Sequence, residues 1–391
     1  MSATWIVFFK ELRESLRDRR VLINSFLIGP LLGPLIFVVL IKFIVSREQE
    51  RAEKPLPVVV IGAQYAPNLV EALRQSGMEI RPAITDPEAA IRDQRIELAL
   101  RIPESYSRDW TEGRVAQVEM LFDSSRQDSG SSIERLTEML EGYSSRIGTM
   151  RLVMRGLSPA VSRPVVIARR DQATPQARAA LLFAMLPYFL VFAAFMGGMF
   201  LAIDATAGER ERQSLEPLLI NPVSRSQILL GKVLAAAVFS SCSVFINLLA
   251  FMAAGKIISS AQLDMTLNLG LDFAVQVLPV MLPLVFLLSV MQTLVAAYAK
   301  NFREAQTMLG ILQLIPMIPS MMLAIMPFKP QLWMYAVPLV GQQLTITRLL
   351  RGESVGALPL LVCFAVTLLA GWLLYLVARR SYNTERLAIS T

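Results

Sequence analysis

Asp204, Glu209, Arg210, Glu211 and Arg212 stand together between two long apolar runs. Carboxylates interleaved with guanidiniums form ion pairs and charge-assisted hydrogen bonds, with one another or with a partner. The sequence has no histidine, which excludes histidine-dependent triads and histidine metal sites. Its two cysteines, Cys242 and Cys363, lie inside apolar runs and act as small hydrophobes, so no disulfide framework or thiolate metal cluster is available. No GxxxxGK[ST] loop occurs: Gly231-Lys232 and Gly255-Lys256 lack both the earlier glycine and a following Ser or Thr. The chain is expected to be no enzyme and to bind no cofactor of its own.

The residues after this cluster point outward. Ser214 to Ile220 is apolar enough for a short helix on a surface, and Asn221-Pro222 breaks it. Ser224 with Gln227 makes a capping-box start for a helix that enters the next apolar run. The shape implied is a helix hairpin whose two spans are joined by a charged transverse helix. A plain solvated loop is the alternative, but Leu215, Leu218, Leu219 and Ile220 need an apolar surface, which implies a partner.

The elements that must hold this stretch are those of an α-helical polytopic membrane protein, at 54% hydrophobic residues. Six transmembrane helices are expected at 21–45, 181–203, 228–254, 273–299, 308–327 and 358–378, each long enough for a ~30 Å core. Residues 1–20 read as an interfacial elbow helix, with Trp5, Phe8, Phe9, Leu12 and Leu16 at helical spacing. Residues 46–178 hold 19 basic and 19 acidic side chains and alternate short apolar runs with helical patterns. That is a small α/β domain inserted between the first and second spans. It carries no phosphate loop and no nucleophile elbow. Its strands are expected in PLPVVVIG, MEIRPA, ELALRIP and VAQVEMLF, with a long helix over 131–155 and a closing strand near 164–168.

An even number of spans puts both termini on one side, and the basic ends, Lys10 to Arg20 and Arg379, Arg380 and Arg386, make that side cytoplasmic. The 204–227 loop and the 379–391 tail share it. The 46–178 domain and the 328–357 loop, with its broken or re-entrant helix, are then extracytoplasmic. The formal charge of +7 is explained by retained cytoplasmic basic residues, not by nucleic acid. No Asp, Glu, Lys or Arg lies near the middle of a span, which disfavours a secondary transporter. The polar residues there are Asn247, Ser289, Gln292, Thr293 and Gln313, read as interhelical hydrogen bonds or, with Pro316 and Met317, as a translocation path. Pro316 and Pro319 should kink the fifth span.

The run from Asp204 through GERERQSLEPLLINPVSRSQILLGK resembles the signature of type-2 ABC-exporter permeases, in particular the sodium-extrusion branch with a large extracytoplasmic insertion. The likeness covers essentially the whole chain, with Gln213-Ser214 where Gly-Thr is more usual. It implies a homodimer or heterodimer of permease protomers in a bacterial plasma (inner) membrane. Two copies of an ABC ATP-binding subunit would carry the ATP and Mg. It also implies that Asp204, Glu209, Arg210, Glu211, Arg212, Glu216, Pro222 and Arg225 couple to that ATPase. The cargo implied is sodium, while the methionine-rich fifth span suits a drug, peptide or lipid. A membrane-anchored sensor is the reading from another class, and it lacks an inside output domain.

Overall fold

The computed structural model describes residues 2–125, 130–161, 172, 174, 176, 180, 183–214, 223–258, 269–325 and 329–383. The chain forms two compact units, Met1–Phe43 with Gln172–Thr391, and Ile44–Asp171. The expected transverse helix beyond Ser214 and the closing strand near 164–168 fall outside the described residues, as do Glu216 and Pro222.

The first unit opens with α1 (Ala3–Ser15), then α2 (Arg19–Leu22), started by Asp18, whose carboxylate accepts from Arg20 N at 2.7 Å. A π-helical stretch, Ile23–Ile28, leads into α3 (Gly29–Glu53). On α1 the buried stripe is Val7, Phe8, Glu11 and Ser15, whereas Trp5, Phe9 and Leu16 are about half exposed. The apolar face read from the sequence therefore splits. One side, which includes Phe8, packs on the protein, and the side with Trp5, Phe9 and Leu16 is left exposed.

The second unit is a four-stranded sheet in the order β2-β1-β3-β4. Its elements are β1 (Leu56–Ile61), α4 (Pro67–Gln75), β2 (Met78–Arg81), α5 (Pro87–Arg92), β3 (Leu98–Arg101), α6 (Ser105–Thr111), β4 (Glu119–Phe122) and α7 (Gly130–Met154). β1 runs parallel to β2 and β3, and β4 runs antiparallel to β3. Val58, Val60, Leu98 and Leu100 fill one face against Leu73 and Leu136 of the covering helices. The four apolar runs singled out in the sequence are these strands; α6 has no counterpart in that reading. Tyr106, Trp110 and Tyr143 stack, with the Arg151 guanidinium 4.6 Å from the Trp110 centroid. Burial pushes the Tyr106 hydroxyl up to about 12.

The chain then completes the first unit with α8 (Leu186–Ile203), a π-helical stretch (Asp204–Gly208), α9 (Glu209–Glu211), α10 (Arg225–Ile258) and α11 (Leu271–Tyr298). After these come α12 (Phe302–Leu312), α13 (Leu314–Ile325), α14 (Leu332–Tyr335), α15 (Val340–Leu350) and α16 (Ala357–Asn383). Among the described residues five helical stretches are long and apolar enough to cross a membrane: 19–47, 186–211, 225–258, 271–298 and 357–382. α8 is the most enclosed of them, packed between α10 and α11, with α16 on the far side of α11 and α1 against α10.

The stretch expected as a fifth crossing is two short helices, α12 and α13, broken at Gln313. Pro316 explains the position of the break: it has no N–H for the Leu312 carbonyl four residues back, and its ring crowds that oxygen. α12 starts earlier than the apolar run suggests because Asn301 caps it, accepting from Glu304 N at 2.9 Å, while Glu304 accepts from Lys300 N at 2.7 Å.

Candidate functional site

Charged residues gather where α8 ends. α8 passes through its π-helical stretch into α9 and stops in a Schellman motif. Ser214 N donates to Glu209 O at 2.9 Å and Gln213 N to Arg210 O at 3.0 Å. Gln213 holds the left-handed position this motif requires, φ 56°. Glycine takes that conformation without the Cβ penalty, which costs other residues about 1–2 kcal/mol. Gln213→Gly is therefore expected to stabilise the chain by about 1 kcal/mol, read as a higher unfolding temperature in detergent. An unchanged or lower midpoint would show that the Gln213 side chain compensates the strain.

Beneath this turn lies a buried ion cluster. Lys232, on α10, is 1% exposed, and its ammonium meets Glu11 Oε1 at 3.2 Å, Glu209 Oε2 and the Ala205 carbonyl oxygen. Lys10, on α1, reaches Glu209 Oε1, Glu11 at 3.2 Å and Glu14 at 3.3 Å. Two ammonium groups thus neutralise Glu11 and Glu209, whose side chains are 3% and 5% exposed. Burial pushes the Glu11 carboxyl up and the Glu209 charge adds to that; Lys232 and Lys10 oppose both. Burial alone would lower Lys10, yet Glu11 and Glu209 hold it above its ordinary 10.5. The Glu11, Glu14 and Glu209 oxygens lie within 4.8 Å of one another, a spacing that suits a cation. The two lysines supply that positive charge.

The neighbouring charges tie in further helices. Arg210 donates to the Ala297 and Ala299 carbonyls at 2.8 and 2.9 Å, capping the C-terminal end of α11 where a cation also offsets the helix dipole. Glu211 accepts from Phe302 N at 3.0 Å, at the start of α12. Arg212 pairs with Asp204 at 2.8 Å, and Arg225 donates to Tyr382 O at 3.4 Å on α16. Ser224 meets Ser226 Oγ at 3.2 Å, while Gln227 N takes the Ser224 backbone oxygen at 2.9 Å. Gly231 lets α1 close onto α10: a Cβ there would stand 2.8 Å from Thr4 O and 2.9 Å from Val7 Cβ.

Lys10, Glu11 and Lys232 were not among the residues singled out for coupling by sequence. A signal was present for two of them. Glu11 falls four positions after Val7 on the buried stripe of α1, and Lys232 sits three positions after Leu229, beside Val233. A charge on a buried helical face needs an opposite charge to meet it.

The polar residues inside the bundle bond to backbone carbonyls. Asn247 Nδ2 donates to Pro30 O of α3 at 2.6 Å, and Gln292 Nε2 donates to Phe195 O of α8 at 2.7 Å. Thr293 Oγ1 returns to Ser289 O on its own helix at 2.8 Å. Gln313 and Pro316 line a cavity of about 220 Å³ with Tyr188, Phe192 and Phe195, the last being the residue whose carbonyl Gln292 meets. Met317 follows Pro316 on α13, and its side chain lies outside the described residues.

The sequence is similar to known proteins. The chain matches a family model described as ABC-2 family transporter protein over residues 25–376. It is 24% identical over 319 residues to the ABC transporter permease protein NatB of Bacillus subtilis (strain 168), a match covering 80% of each chain. Matched from its first span to its last, the chain belongs to the ABC-2 family of membrane transporters and is a permease of the NatB-like kind.

Proposed function

We propose that this chain is the transmembrane subunit of an ATP-driven exporter, working with a separate ATP-binding subunit in two copies and with a second permease protomer. The buried ion cluster carries this reading. It fastens α1, the end of α8 and the start of α10 together at one end of the bundle, next to the 215–222 connection. A push on that connection would move two spans as one. Arg210 and Glu211 would carry the push to α11 and α12. The exposed members, Glu211 and Arg212, are left to face the partner.

In this reading the broken pair α12–α13 completes six crossings, both termini are cytoplasmic, and the Ile44–Asp171 unit is extracytoplasmic. Labelling tests the orientation. In a chain freed of Cys242 and Cys363, Ser129→Cys is expected to react with an impermeant maleimide from outside, and Ser214→Cys only from inside. The reverse pattern would place the coupling end on the wrong side and end the assignment.

Sodium is the cargo proposed from the likeness to the sodium-extrusion branch. The central turns of the five crossing helices carry no carboxylate for it, so side-chain amides and carbonyls would have to coordinate the ion. The aromatic cavity beside Gln313 and Pro316 favours a second reading, an apolar cargo. ATP hydrolysis by the assembled complex separates the two: stimulation by sodium supports the first, and stimulation by apolar compounds but not by sodium supports the second. A complex indifferent to both would refute both cargo assignments.

A further inference from the structure

A cavity of about 450 Å³ opens at the other end of the bundle from the ion cluster. Its Val280 wall lies on the same helix as Ala297, whose carbonyl is capped by Arg210, the residue after the cluster's Glu209. Along α11 the separation is about 25 Å at roughly 1.5 Å per residue, so the cavity faces the opposite leaflet. The walls are Gln276 and Val280 of α11, Leu349 of α15, and Leu361, Cys363 and Phe364 of α16.

This cavity is open on a face that hydrocarbon must cover. Leu361 is 65% exposed, Phe364 42% and Val275 67%. α16 shows such residues along its whole length, from Leu358 to Val377. A helix that crosses a bilayer keeps an apolar outer face because lipid tails lie against it. The cavity is of ligand size, within the ~300–1,000 Å³ usual for such sites. A rigid helix of another protomer laid across a concave slot would leave it void, whereas a flexible chain can enter it.

Basic residues neighbour its lining in the sequence. Arg348 and Arg351 flank the lining residue Leu349. Glu353 is taken by Arg348, at 3.0 Å, and Arg348 also donates to Ser354 O at 3.1 Å. Arg351 is exposed at the end of α15. We propose that this cavity holds an acyl chain of one phospholipid whose anionic headgroup meets Arg351. The inference rests on α11 and α16 crossing the bilayer, as in the function proposed above. It commits to a lipid of the leaflet opposite the ion cluster, not to a transported molecule.

Native mass spectrometry of the full chain tests it, after exchange into nanodiscs of equal phosphatidylglycerol and phosphatidylcholine. The native protein is expected to retain one phosphatidylglycerol per chain through detergent washing. Val280→Phe, which fills the slot, is expected to lower that retention at least fivefold. Arg351→Gln, outside the cavity wall and free of packing risk, is expected to keep a lipid but lose about fivefold preference for phosphatidylglycerol, the worth of one arginine near an anionic headgroup. Equal retention by native and Val280→Phe protein, or an undiminished preference in Arg351→Gln, would overturn the proposal. So would efficient disulfide crosslinking of Leu361→Cys chains to each other, which would put a second copy on this face. Bound lipid is counted without ATP hydrolysis, so the result stands apart from the test of exporter function.

Discussion

Lys232→Met is expected to cost the protein about 3–5 kcal/mol, the usual penalty for removing one partner of a buried ion pair. Lys232 is the deepest member of the cluster, and its loss leaves Glu11 and Glu209 buried with only the half-exposed Lys10 between them. Folded domains hold about 5–15 kcal/mol in total, so such a loss removes a large part of the margin. The measurement is thermal unfolding of the purified full chain in detergent, with monodispersity on gel filtration as a second readout. Adding Glu11→Gln to Lys232→Met is expected to restore a substantial share of the loss, because Lys10 and Glu209 then remain as a matched pair. A single Lys232→Met protein that unfolds with the native midpoint would show that the cluster contributes nothing to holding α1, α8 and α10 together. Glu209→Lys should be worse still, since it would bring three cations together in the same buried space.

The second large effect is expected at the contact between α8 and α10. A Cβ built on Gly197 would stand 2.5 Å from Ser243 Cβ and 2.8 Å from Ser240 Cα, and one on Gly198 would stand 2.4 Å from Ser240 Oγ. Such distances exist only where two helix backbones meet over small residues, the usual way membrane helices gain packing contacts. Gly197→Val cannot be accommodated by a rotamer change, because the obstruction includes backbone. The helices must separate, at a cost of about 1–3 kcal/mol or more for overpacking. The expected result is a lower unfolding temperature than native. By contrast Gly148→Ala, on α7 with nothing within 4 Å of the added methyl, is expected to gain about 1 kcal/mol of helix propensity. If Gly197→Val were as stable as native, the α8–α10 contact would not be the tight seam described.

Much of this architecture could be read from apolar length and period, because crossing helices and sheet strands are set by local pattern. The β1 run LPVVVI and the α8 run from Leu186 to Ile203 need no tertiary information to be recognised. The break at Gln313 was half legible: Pro316 foretold a kink, but not the early start of α12, which the Asn301 cap sets. The site was less legible. The sequence marks Glu209 to Arg212 as a charged outward stretch, and the structure turns Glu209 and Arg210 inward. The reason is long range: Glu209 is buried only because Lys10 and Lys232, far away in sequence, arrive beside it. No periodicity within one helix contains that information. Gln213 is the converse case, a left-handed residue that the backbone shows directly.

The inward turn of Glu209 also separates two roles that the sequence runs together. Reversing Glu209 should unfold the site. Reversing Glu211, exposed and bound among the described residues to Phe302 N, should cost about 1 kcal/mol and leave the bundle intact. The most direct measurement is therefore a pull-down of the tagged full chain from gently solubilised membranes, native beside Glu211→Lys, with assay of the ATP hydrolysis that comes with each. An ABC ATPase is expected with the native chain, and a Glu211→Lys protein of near-native unfolding temperature is expected to lose most of that activity. A native complex that stays intact in the assay detergent and carries no ATPase, or a Glu211→Lys complex with undiminished activity, would contradict a coupling role for this end of the bundle.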